Sequence, residues 1–208
     1  MKKLSALVIA ALLALSMISA LAVDLNVDDV LSNYAFALDG IDIQLPAPLS
    51  TLLDNGWSCS DMYADATLPA MSYDSLVLYK DSASVSATVV NATDGEKAMA
   101  ECSLAGVLVF ASDGVSLAMK NGIDMASDLD TVAAVYGLDK AALAAEYAEG
   151  STGFSLSFYA EGDDGIHMDK GIMQSAVGMN QIDFNFDAPL SENGKLESVQ
   201  LRYMDGAE

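Results

Sequence analysis

The stretch QIDFNFDAPLSENGKLESVQLRY, residues 181–203, decides the fold. In its first arm Ile182, Phe184 and Phe186 alternate with Asp183 and Asn185. In its second, Val199, Leu201 and Tyr203 alternate with Gln200 and Arg202. A period of two puts the two sets on opposite faces of a strand. Pro189 and Asn193-Gly194 mark the turn between the arms, since proline cannot donate to a ladder and Asn-Gly accepts the backbone of a tight turn. The stretch predicts an antiparallel pair with one apolar and one polar face. GFSLSFYA, residues 153–160, predicts a third strand, with Phe154, Leu156 and Phe158 on the apolar side and Ser155, Ser157 and Tyr159 opposite.

On the polar face this pattern gathers Tyr159, Asp183, Asn185, Gln200 and Arg202, the chain's one arginine. Two readings stay open. Arg202 and Asp183 can pair across strands on a solvated face, worth roughly 0.2–1 kcal/mol. Alternatively the five form a platform for a partner, because tyrosine and the forked donors of arginine are residue types that anchor interfaces.

The same alternation recurs upstream. YAFALDGIDIQLP, residues 34–46, reads as a hairpin turning at Asp39-Gly40 and ended by Pro46. PLSTLLDNG reads as a short helix with Pro48 in its first turn and Gly56 at its stop, and Trp57 is expected to pack just beyond. SLVLYKDSASVSATVVN predicts two strands around Lys80-Asp81-Ser82, with Val85, Ala87 and Val89 on one face and Ser84, Ser86 and Thr88 on the other. In AECSLAGVLVF a further strand is expected, with a bulge or bend at Gly106. Val115–Met119 reads as a strand, and after it SDLDTVAAVYG predicts a helix capped by Ser127 and Asp130 and closed by Gly137. LDKAALAAEYAEG predicts another helix. The expected fold is α+β, built from two similar units, 23–114 and 115–208, each a short helix followed by an antiparallel meander.

The first 22 residues, MKKLSALVIAALLALSMISALA, have the form of a signal peptide. Lys2 and Lys3 form a basic start, Leu4 to Ile18 an apolar run, and Ala20-Leu21-Ala22 a small-residue cleavage site. Cleavage after Ala22 and a secreted location are the expectation, with no membrane span in the mature chain. The chain has 30 acidic and 9 basic residues, and two of the latter, Lys2 and Lys3, leave with the signal, for a mature net charge of −23. Such a charge repels nucleic acid and calls for a partner that is neutral, cationic or metal-bearing. It also serves solubility alone.

GIDIQLPAPLSTLLDNGW, ECSLAGVLV and NGIDMASDLDTVAAVYG resemble segments of uncharacterised exported proteins of Gram-positive bacteria. More distantly, a helix followed by a curved antiparallel sheet, twice over, is similar to the beta-lactamase inhibitor protein and the small-protein-A lipoproteins. The resemblance implies a fold and transfers no functional residue.

Cys59, in GWSCS, and Cys102 are the two cysteines. Three readings remain: a Cys59–Cys102 disulfide closing a loop of about 43 residues and worth about 4 kcal/mol on the chain-entropy model, two buried free thiols, or a nucleophile. The last would need His167, the single histidine, as base, and GWSCS lacks the surroundings of a thiol hydrolase. Zinc has too few ligands here, and DLNVDD and EGDDG lack calcium-loop spacing, so no metal site and no cofactor are expected. The favoured function is a non-enzymatic exported binding protein with a protein or glycan partner. The alternative is a secreted hydrolase with an unrecognised acidic site, for which a pair of carboxylates across a cleft is the requirement.

Overall fold

The computed structural model describes residues 33–157 and 180–203. The signal-like segment 1–22, Phe158, Tyr159, His167 and the acidic stretches at 24 and 161 lie outside those residues.

At the first hairpin, Asp39 and Gly40 take φ of 48° and 77°, the left-handed backbone that a two-residue turn between right-twisted strands requires. It joins β1 (Ala35–Leu38) to β2 (Ile41–Gln44), pairing Leu38 with Ile41. β10 (Leu117–Met119) adds on the other side of β1, giving a three-stranded sheet. Pro48 was expected inside the helix that follows. It stands instead on the two-residue strand β3 (Ala47–Pro48), opposite Ser103, and helix α1 begins at Ser50 (Ser50–Leu53). Gly56 ends the turn at φ 88°, and Trp57 is buried just past it, with its backbone N–H donating to Leu52.

The main sheet is antiparallel throughout. Its strands run in the order β11 (Gly153–Ser157), β12 (Gln181–Phe186), β13 (Leu196–Arg202), β9 (Ser103–Phe110), β7 (Ala83–Asn91), β6 (Ser72–Lys80), β4 (Ser58–Cys59). β3 pairs with the start of β9, where β13 has already ended. A small pair, β5 (Thr67–Leu68) with β8 (Lys97–Ala98), completes the strands. The expected bulge falls beside Gly106. Thr88 faces Gly106 while Val89 faces Leu104, which leaves Ala105 as the extra residue.

Helix α2 (Asp61–Ala64) precedes β5, and helices α3 (Leu129–Val135) and α4 (Lys140–Glu146) precede β11. Asp128, not Ser127, caps α3, its carboxylate accepting from the Thr131 N–H at 2.9 Å. Ser127 is held by Asp124 through its hydroxyl, and Asp130 pairs with Lys140 at 2.6 Å. Gly137 stops the helix at φ 64°.

Leu76, Leu78, Val85, Ala87, Val89, Val107 and Val109 form the inner face of the main sheet together with Val199, Leu201, Ile182, Phe184, Phe186, Phe154 and Leu156. Leu52 of α1, Leu129 and Val132 of α3, Leu143 of α4 and Phe36, Leu38 and Ile43 of the small sheet belong to the same cluster. One core thus spans both sides of residue 114, and the sheet crosses it too, through the β13–β9 pairing. The architecture is α+β and mostly β. Among the described residues no helix is long and apolar enough to cross a membrane.

Candidate functional site

Strand parity builds the opposite face of the main sheet. Register pairs align one continuous row across six strands: Val77, Ser86, Leu108, Gln200, Asp183, Ser155. At ordinary strand spacing the row is about 24 Å long. A neighbouring row carries Tyr79 opposite Ser84, then Phe110, Ser198, Asn185 and Gly153 in register. On the other side run Ser75, Thr88, Gly106, Arg202 and Gln181.

Asp183, Asn185, Gln200 and Arg202 therefore do share this face, as the alternation predicts, while Tyr159 lies outside the described residues. Asp183 is the hub of their polar half. Its carboxylate accepts from the Ser155 hydroxyl at 2.5 Å, from Gln181 Nε2 at 2.7 Å and from Arg202 Nη2 at 2.9 Å. Asn185 Nδ2 donates to Ser198 Oγ at 3.1 Å. The Arg202 stem lies over Gly106, where a Cβ would stand 3.1 Å from Arg202 Cγ. Its Nε is buried with no hydrogen-bond partner among the described residues. Glycine at 106 thus makes the floor on which the arginine lies flat toward Asp183.

Tyr147, after α4, closes the sheet edge by accepting from the Ser155 N–H at 3.4 Å. Burial pushes its hydroxyl pKa up, the Ser155 hydrogen bond opposes this, and the charges of Glu146 and Asp183 add to it. The phenol stays protonated across the physiological range.

The other half carries the large apolar and aromatic groups, set among Ser75, Ser84, Ser86 and Thr88. Tyr73, Tyr79 and Phe110 are 38%, 47% and 40% exposed, with Val77 and Leu108 half-buried between the strands. Sequence reasoning missed these. The signal was present in β6, where Tyr73, Ser75, Val77 and Tyr79 alternate with the buried Leu76 and Leu78. In β9, however, the run VLVF hides the alternation, because both faces of that strand are apolar.

The three named rows hold two charged side chains, Asp183 and Arg202, and these are paired with each other. The face is therefore uncharged on balance, in a chain of net charge −21. A cavity of about 300 Å³ lies elsewhere, beside α4, lined by Tyr147, Glu149, Ser151 and Leu190 among others, with Glu149 its sole carboxylate. Among the described residues no group of three or more His, Cys, Asp and Glu comes together as a metal site would need.

Cys59 and Cys102 are free thiols, the first partly exposed and the second buried. They border one packed corner, since α2 contacts both β4, which carries Cys59, and the 3-10 turn Met99–Glu101, which ends at Cys102. The Cys102 thiol donates to the Ala98 carbonyl at 3.4 Å. Burial raises its pKa, against a smaller lowering from Lys97. This disfavours a thiolate at Cys102.

No family model, curated protein or solved structure matches the chain.

Proposed function

We propose that the chain is an exported, non-enzymatic binding protein whose contact surface is the open face of the main sheet. The observation that carries this reading is the composition of that face. It is uncharged on balance, studded with exposed tyrosine and phenylalanine, and flanked by hydrogen-bonding Ser, Asn and Gln, in a chain that is otherwise strongly acidic. Charge depletion at the centre with aromatic and arginine enrichment is the anatomy of a protein interface. Export rests on the sequence of residues 1–22.

The two-unit design is part of the same reading. β9 and β13, the last strands of the two halves, lie side by side and antiparallel, and the row Val77–Ser86–Leu108 continues into Gln200–Asp183–Ser155. This juxtaposition supports the reading of two meanders that share one sheet. We also propose that Cys59 and Cys102 bridge in an oxidising compartment. Alkylation without reduction then leaves the mass of the secreted protein unchanged, and labelling of both thiols contradicts the bridge.

A screen of the mature protein against secreted proteins, wall fragments and glycans tests the function. The expected ligand loses affinity for Ser86→Lys, in the middle of the open face, and keeps it for Ala145→Lys, on the exposed side of α4. A ligand indifferent to Ser86→Lys, or steady turnover of any glycan, overturns the reading.

A further inference from the structure

The open face and its border together specify the chemistry of the partner, granted the reading of that face as a binding surface. The face extends about 24 Å across six strands, the breadth of a protein contact, whereas small ligands are held in concave pockets. Its protruding groups, Tyr79 and Phe110, stand one row from the centre with the small Ser84 between their strands. The border next to them is acidic. Asp81 in the β6–β7 turn, Asp113 after β9, Asp187 after β12 and Glu197 beside the start of β13 all stand at this end of the sheet, against Lys80 and Lys195. Lys80 is partly occupied over the Trp57 ring, at 6.0 Å from its centroid.

We propose that this face docks a folded basic protein whose contact centre is itself uncharged and seats on Tyr79 and Phe110. Border carboxylates steer such a partner from a distance, while the neutral centre lets it close without stranding a buried charge. A second copy of this chain is disfavoured by the same field, since two bodies of net charge −21 repel. An anionic partner is disfavoured likewise.

The test uses the whole mature protein, immobilised, beside its Tyr79→Ala/Phe110→Ala and Ser86→Lys variants. Native thermal midpoints establish that each variant is folded. The probes are the proteins exported by the cells that make it, divided by ion exchange into a basic and an acidic pool. The expected result is a partner from the basic pool whose affinity falls at least about tenfold with either variant. Its association rate should drop as salt rises while its dissociation rate changes little. Basic proteins retained equally by native and variant forms would mean attraction by bulk charge alone and would overturn the proposal. Face-dependent binding from the acidic pool, or face-dependent dimerisation in sedimentation, would overturn the basic partner and leave the binding face standing. Retention of nothing from either pool overturns it as well, and the glycan arm of the preceding screen then decides whether the face binds at all.

Discussion

Asp128 illustrates how single residues set local structure here. Its carboxylate accepts from the side chain and backbone N–H of Thr131 and from Asn193 Nδ2, which ties the start of α3 to the β12–β13 connection. The hydroxyl of Thr131 is the largest influence drawing its pKa below the usual carboxylate range, followed by the Thr131 amide. A folded pKa below the unfolded one means stability that is present above the unfolded value and lost as pH falls through the folded one. Asp128→Ala should cost about 0.5–2 kcal/mol at neutral pH, as lost N-caps do. That penalty should shrink on acidification, read by urea unfolding at a series of pH values. A penalty independent of pH would mean that the charge of Asp128 plays no part. Ser127 illustrates the limit of sequence at this scale. It fits the cap pattern as well as Asp128 does, and the winner is decided by Asp124, which captures the Ser127 hydroxyl through the turn before the helix.

At the scale of elements, strands with a clean period of two were legible, and pairs joined by short turns were legible with them. β6 with β7 and β12 with β13 follow directly from alternation and turn residues. β3 and β4 have two residues each, too few to show a period, and the β1–β10 pairing joins segments some eighty positions apart that nothing local links. The polar half of the site was readable because Asp183, Asn185, Gln200 and Arg202 interrupt apolar strands. Its aromatic half was not, since Phe110 and Leu108 sit in a strand whose other face is also apolar. Gly106 sits at a close approach of β9 to β13 and β7. A Cβ there would stand 2.7 Å from the Leu201 carbonyl oxygen and 3.3 Å from Thr88 Cβ, so the β9–β13 seam has no room for a side chain. Gly106→Val should destabilise the protein by about 1–3 kcal/mol, the usual range for overpacking, and should displace Arg202 from Asp183. Unfolding at unchanged denaturant concentration would contradict this close approach.

At the scale of the whole molecule, the two faces of the main sheet differ in character. The inner face takes the small sheet and the helices into one core. The open face is left with three exposed aromatic rings and a self-neutralised ion pair. Such a division leaves an acidic chain with one sheet face that is uncharged on balance. The most direct measurement is side-chain oxidation footprinting of the protein with and without a captured partner, read at Tyr73, Tyr79 and Phe110 and, for comparison, at Tyr63 in α2. Protection of Tyr79 and Phe110 with Tyr63 unchanged is the predicted result. Equal oxidation of Tyr79 and Phe110 in the free and bound states would contradict the assignment of the open face as the binding surface.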